Sequence, residues 1–186
     1  MRIISGKLKG KSISFLKNFT TRPLKNIVKE NIFNIINHSN FINTSIEKSN
    51  VLDLYSGIGS FGIECISRGA KKVIFVEQDK KAVETLNENI DKLSITGQTE
   101  VFHNKIENFL NQKSRIKYNI FFLDPPFIDK TFIQNLERIK KKNIFRREHL
   151  IIIHREKKSK DALNEYINTL FIKKYGRSKI IFAVFN

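Results

Sequence analysis

The sequence has one cysteine, Cys65, no tryptophan, one methionine, three prolines and eight glycines in 186 residues. A lone cysteine excludes an intramolecular disulfide, a cysteine-based zinc site and an iron–sulfur cluster within the chain, and it predicts a reducing compartment. Long apolar runs are also missing: none approaches the roughly 18 residues that span a bilayer, and Met1–Phe15 lacks the continuous apolar stretch of a secretory signal. A cytoplasmic protein without a membrane partner is therefore expected. The four histidines, His38, His103, His149 and His154, lack metal-ligand spacing, so no metal is expected. Scarce proline and glycine beside 40% hydrophobic and 28% charged residues exclude a fibrous or wholly disordered chain. The length suits one domain with a short appendage, and a monomer is expected.

Phenylalanine, by contrast, is abundant, at 16 residues against four tyrosines. Most aromatic mass thus carries no polar group and belongs in the core, so an exposed Phe needs a reason. The other excess is positive charge, +16 in all. Residues 1–50 hold nine Lys/Arg against two acids (+7), residues 51–100 six against eight (−2), and residues 101–186 nineteen against eight (+11). Compositional drift would raise the charge throughout. Basic flanks around a slightly acidic centre instead suit a polyanion gripped from the sides, which points to nucleic acid.

From residue 50 short β-rich runs (51–55, 73–77, 100–103, 119–123, 150–154) alternate with stretches of helical spacing (60–68, 80–92, 106–112, 130–142). Strands apolar on both faces, alternating with helices, predict an α/β, doubly wound, mostly parallel sheet whose ligands bind beyond the carboxyl ends of the strands. A short helix over 160–167 and two strands, 170–174 and 179–185, joined by a turn add an antiparallel C-terminal hairpin. Residues 1–49 do not follow this rhythm: a small hairpin around Gly6 and Gly10 and a helix over 24–36 form a basic N-terminal extension. The division predicted is thus 1–49 and 50–186.

Three features of the second part carry chemistry. Gly57-x-Gly59-x-x-Gly62 follows the first strand and opens a helix, where backbone passes close to a ligand; with Glu77, twenty residues beyond Gly57, it satisfies a dinucleotide fingerprint. An NAD-dependent oxidoreductase is therefore one reading. Asp53 separates the readings: a carboxylate in an apolar strand asks for a cation, which S-adenosylmethionine supplies and a pyrophosphate does not. Glu77 suits either cofactor, since a carboxylate accepts bonds from both ribose hydroxyls. Asp124-Pro125-Pro126-Phe127 follows the fourth strand at the same sheet edge. Two prolines remove two N–H donors and leave acceptors beside a carboxylate, a cluster that suits an exocyclic amino group, while Phe127 offers a face for the base.

At these residues the sequence resembles the class I S-adenosylmethionine-dependent methyltransferases of exocyclic amines. It is most similar to the RsmD family, which methylates guanine N2 of small-subunit (16S) ribosomal RNA. The resemblance runs through 1–11, Thr21-Arg22-Pro23, 29–34, 53–62, 67–70, Glu77 and 124–127. It implies that Asp53, Gly57 and Gly59, flanked by Tyr55 and Ser56, line the methionine end of the cofactor, and that Glu77 and Gln78 meet its ribose. It further implies that Asp124, Pro125, Pro126 and Phe127 act on the base, and that ribosomal RNA or the small ribosomal subunit is the partner. Two departures stand out. His103-Asn104-Lys105 takes the place of an Asp expected at the cofactor adenine, where Asn104 could accept the same bond, and His154-Arg155-Glu156 takes the place of a Glu. His154 is read as a strand-end residue rather than a base. The RNA-binding residues expected are Arg2, Lys7, Lys9, Lys11, Arg22 and Lys25. Adenine-N6 methylation of DNA or RNA and a non-catalytic RNA-binding assembly factor remain the rival readings.

Overall fold

Local sequence signals set most element ends. In the computed structural model, which describes residues 1–15, 24–113 and 116–186, the helices are α1 (Asn26–His38), α2 (Ser60–Ser67), α3 (Lys80–Leu93), α4 (Ile106–Asn111) and α5 (Thr131–Lys142). The strands are β1 (Asn50–Leu54), β2 (Lys72–Glu77), β3 (Thr99–His103), β4 (Tyr118–Leu123), β5 (Phe145–Glu156), β6 (Ile167–Tyr175) and β7 (Ser178–Phe185). The Asp79 side chain caps α3 by accepting from Ala82 N–H at 2.8 Å. Left-handed Asn143 ends α5, whose last turn carries Lys140, Lys141 and Lys142 against the carbonyl end of the helix dipole.

The strands form one sheet in the order β3-β2-β1-β4-β5-β7-β6. All pairings through β5 are parallel, and β7 runs antiparallel between β5 and β6. One face is covered by α4 and α5, the other by α1, α2, α3 and the N-terminal extension. The doubly wound sheet predicted from the strand–helix alternation is therefore present, with its one antiparallel strand at the C-terminal side. Among the described residues no helix is long and apolar enough to cross a membrane.

Two boundaries differ from expectation. No helix forms over 160–167. Asp161 is drawn instead to the buried Arg155, which donates from Nε (3.1 Å) and Nη2 (3.2 Å), and only a single turn closes on the Leu163 carbonyl. β5 begins at Phe145, not 150, because Tyr118 pairs with Phe145 across an irregularity in the register, and Phe145 stacks on Phe185. The charged Arg146-Arg147-Glu148 hid this strand from a reading based on apolar runs.

The N-terminal extension shares the core of the sheet domain. Phe33 of α1 stacks on Phe61 of α2, which stacks on Phe122 of β4 (centroids 5.1 and 4.0 Å apart). Met1 and Ile13 exchange backbone bonds, and Arg2 bridges to Ser12, closing the predicted hairpin. Glu64, fully buried on α2, holds the hairpin down: it accepts from the N–H groups of Ile4 and Ser5 (both 2.9 Å), pairs with buried Lys29 (3.3 Å) and takes Arg68 Nε (3.0 Å). Burial lowers the Lys29 pKa, and Glu64 opposes that shift. Gly6 is obligatory here, since a Cβ on it would stand 1.8 Å from the Ser67 carbonyl oxygen.

Candidate active site

The carboxyl ends of β1, β2, β3 and β4 converge at one sheet edge, where the turn after β1 must leave the strand and enter α2 at once. It does so through left-handed backbone at Tyr55 (φ 58°), Gly57 (φ 54°) and Gly59 (φ 80°). The two loop glycines then differ in purpose. A Cβ on Gly57 meets nothing within 4 Å, whereas one on Gly59 would lie 2.4 Å from Leu86 Cδ1, and one on Gly62 2.3 Å from Phe75 Cε1. Gly57 faces open space; Gly59 and Gly62 let α2 pack on the sheet and α3.

Glu77 is more than an acceptor waiting for hydroxyls. Its Oε2 accepts from Gly57 N–H (2.8 Å), and its Oε1 from Gln78 N–H (2.9 Å) and Asp79 N–H (2.8 Å). The carboxylate therefore locks the glycine turn to the end of β2 while keeping lone pairs for a ligand. Asp53, 1% exposed, accepts from Gly62 N–H through Oδ2 (2.9 Å), and its Oδ1 is buried without a partner among the described residues. Burial pushes its carboxyl well above the usual carboxylate range, the Gly62 bond opposes this, and the Asp124 and Glu77 charges add to the rise. Ser56 Oγ is likewise buried and unpartnered among the described residues.

The remaining residues expected around the cofactor are placed less directly. The Tyr55 phenol is turned to the α5 side, where Asn135 Nδ2 donates to it at 3.3 Å, so its backbone is what borders the turn. Exposed Gln78 offers its carbonyl to His103 Nε2 (3.2 Å). Asn104 Oδ1 already accepts from Lys105 N–H and Asn108 Nδ2, both at 2.8 Å, in organising the start of α4.

The second half of the site is the tetrapeptide after β4. Asp124 Oδ1 lies 2.8 Å from His154 Nδ1 at the end of β5, and the Phe127 ring stands edge-on to that imidazole (5.7 Å, 78°). Arg155, fully buried over the Phe132 ring, donates from Nη1 to the Pro126 carbonyl and from Nη2 to the Phe127 carbonyl, both at 3.1 Å. Pro126 also accepts from Asp129 N–H (2.8 Å). These bonds hold the loop rigid and commit two of its carbonyls, so the Pro126 carbonyl is not the free acceptor that the sequence suggested. Among the described residues, Asp124 Oδ2 and the Pro125 carbonyl accept no hydrogen bond, so they are the acceptors left at the end of β4. Phe127 is 38% exposed beside these acceptors, where its ring is open to a base, although Phe15 (52%) and Phe41 (74%) are more exposed. The sequence reading noted His154 and Arg155 but took His154 as a strand-end residue and gave Arg155 no role, whereas the two hold the Asp124 carboxylate and the loop carbonyls. The available signal was charge ending the apolar run Leu150–Ile153, the same anomaly that marked Asp53.

The N-terminal cations spread along α2. Arg2 lies near the site end, beside Met1, whose sulfur receives a bond from Ser60 Oγ. Lys7 lies at the far end, bonded to Gln98 just before β3 (2.6 Å) and, through its N–H, to the Ser67 carbonyl. Lys9 and Lys11 are exposed on the same hairpin, and Lys25 is exposed just before α1. Arg22 falls outside the described residues.

S-adenosylmethionine fits these residues. Its positive charge answers the unpartnered Asp53 Oδ1, its hydroxyls suit Glu77, and the space beside Gly57 is one that any side chain there would fill. A family model described as Conserved hypothetical protein 95 matches residues 1–184. Ribosomal RNA small subunit methyltransferase D of Buchnera aphidicola subsp. Baizongia pistaciae (strain Bp) is 35% identical over 184 residues, covering 97% of this chain and 88% of that one. The crystal structure of HI0767 from Haemophilus influenzae superposes with a TM-score of 0.78 at 29% identity, over 98% of this chain and 96% of that one. SMU.776, solved in complex with SAH, shares the fold at 14% identity (TM-score 0.65, 84% of this chain and 49% of that one). With a family match over nearly its whole length, and a full-length relative at this identity, the chain belongs to the Conserved hypothetical protein 95 family, the family of ribosomal RNA small subunit methyltransferase D.

Proposed function

We propose that the protein transfers a methyl group from S-adenosylmethionine to the exocyclic N2 of a guanine in small-subunit (16S) ribosomal RNA. Residues 50–186 act as the methyltransferase domain and residues 1–49 as a basic RNA-binding extension, with Arg2, Lys7, Lys9, Lys11, Arg22 and Lys25 meeting phosphates. The observation that carries the reading is the placement of an acceptor pair, the Asp124 carboxylate and the Pro125 carbonyl, at the same sheet edge as the cation-seeking Asp53. Methyl transfer as such, with S-adenosylmethionine as the methyl donor, is what membership of this family supplies.

When bound, the cofactor supplies an electrophilic methyl group and leaves as a neutral thioether. Asp53 holds its charged end, Ser56 and the backbone of Tyr55 and Gly57 border it, and Glu77 with Gln78 meets its ribose. Asp124 and Pro125 accept hydrogen bonds from the two amino hydrogens of guanine, which favours the pyramidal nitrogen whose lone pair can attack. As N2 takes the methyl it gives its proton to Asp124 Oδ2, while His154 Nδ1 keeps Oδ1 in place. Phe127 stacks on the base. Arg155 fixes the loop carbonyls so that the two acceptors do not drift.

The test is transfer of tritiated methyl to small ribosomal subunits lacking the modification, followed by digestion to nucleosides. Label should appear in N2-methylguanosine. Label in N6-methyladenosine would move the chemistry to adenine. Cofactor binding without label would make the protein a silent assembly factor, and calorimetric binding of NAD instead of S-adenosylmethionine would make it an oxidoreductase.

Asp53 gives a second expected result. Burial raises its pKa and so favours the neutral carboxyl, while a bound cation favours the ionised form, so cofactor binding is expected to release a proton. Affinity should rise with pH until the free carboxyl has itself ionised, and the binding enthalpy should vary with the ionisation heat of the buffer. Asp53→Asn should abolish both effects and weaken binding. The folded-state pKa lies above the unfolded one, so the carboxyl lowers stability as pH rises from the unfolded to the folded value. The Tm of Asp53→Asn should therefore gain on wild type across that window. A cofactor affinity with the same pH dependence in the two proteins would remove Asp53 from the cofactor site.

A further inference from the structure

We propose that the C-terminal hairpin is the main phosphate-gripping surface for RNA entering the site, a surface that rests on the RNA-methylation reading above. The topology makes the case. Because β7 runs antiparallel beside β5, the turn from β6 into β7 returns to the same sheet edge as Asp124, and Lys157 N–H bonds the Arg177 carbonyl at 2.8 Å, tying the exit of β5 to that turn. In register, His154 lies opposite Ile180 and Ile180 opposite Lys173; Arg155 lies opposite Lys179 and Lys179 opposite Lys174. Lys173 is thus two interstrand spacings, about 10 Å, from the histidine that touches Asp124. Lys157, Lys158, Lys160, Lys173, Lys174 and Arg177 cluster there, and all six are exposed. The three acids in the same stretch do not balance the six cations: Glu156 and Glu165 are exposed, and Asp161 is taken by Arg155 and Ser159.

Apart from Arg2, which lies near the site end, the cations of the N-terminal hairpin are less well placed for the reacting nucleotide. Lys7 sits by Ser67, at the other end of α2, whose eight residues span about 12 Å. The sequence showed basic residues in excess on both flanks, but not which of them lie by the base. Lysines on an edge strand such as β6 also discourage pairing with another sheet. That role predicts aggregation, and unchanged RNA binding, when they are removed.

The experiment compares Lys157→Gln/Lys158→Gln/Lys173→Gln/Lys174→Gln/Arg177→Gln with Lys7→Gln/Lys9→Gln/Lys11→Gln. Filter binding of 16S ribosomal RNA across a salt series is the readout, with S-adenosylmethionine affinity measured alongside. The hairpin variant should bind at least tenfold more weakly at low salt. Its log–log slope should flatten by roughly 0.7–0.9 for each phosphate that is no longer neutralised, about three units or more if most of the five engage. Cofactor affinity should stay within twofold. The Lys7 set should change the slope by less. Equal slopes for hairpin variant and wild type, or a larger change from the Lys7 set, would overturn the proposal, as would a hairpin variant that aggregates yet keeps its slope in the soluble fraction. Because this readout is binding, it stands apart from methyl transfer: wild type that binds RNA through the hairpin but transfers no methyl would fail the reaction and keep the surface.

Discussion

Asp124→Ala is expected to lower turnover by two or more orders of magnitude, at least about 2.7 kcal/mol of transition-state stabilisation, with cofactor affinity nearly unchanged. The carboxylate acts on the amine that reacts, and its contribution grows as that nitrogen becomes pyramidal and loses its proton. Its partner allows a finer test. His154 Nδ1 at 2.8 Å holds one carboxylate oxygen, so His154→Ala should also lower turnover, by less than the removal of Asp124, with the Michaelis constant for RNA little affected. His154→Gln, which can still donate to Asp124, should recover part of the deficit. In the double variant the two effects should fall well short of adding, because His154 acts through Asp124. A fall in cofactor affinity as large as the fall in turnover would make Asp124 a cofactor residue instead.

Gly57→Val should reduce S-adenosylmethionine affinity by at least 100-fold, about 2.7 kcal/mol, while leaving most of the fold's stability. A Cβ there meets no protein atom within 4 Å, so the branched side chain would stand in the space beside the loop. The left-handed backbone adds roughly 1–2 kcal/mol of strain. Gly59→Val is the informative contrast. Its Cβ would collide with Leu86 and crowd Phe75 and Ile63, so it should lower Tm strongly and weaken binding only as the loop is displaced. Sequence reasoning treated the two glycines alike. Calorimetry paired with thermal melts separates them: a Gly57→Val protein with wild-type affinity would remove the loop from the cofactor site.

Much of the fold was legible because its signals are local. Runs such as Val51–Leu54 and Tyr118–Leu123 are apolar over one strand length but for Asp53 and Asn119, and helical spacing between them implies crossover helices, hence a parallel sheet with its ligand edge at the carboxyl ends. Asp53, the glycine turn and Asp124–Phe127 are each read within a dozen residues, and topology alone brings them to one edge. What the sequence by itself could not determine depends on contacts between distant residues. His154 meets Asp124 across thirty positions, Glu77 locks Gly57 across twenty, and Glu64 anchors Ile4 across sixty. No local pattern encodes such pairs, because they follow from strand register and helix direction, which are settled only when the whole core packs. The same holds for the charges. Lys173 and Arg177 lie some twenty residues or more beyond His154 in the chain, and only the antiparallel course of β7 returns them to the site. Lys7, on a hairpin that Glu64 and Ser67 fasten along α2, is carried to the opposite edge.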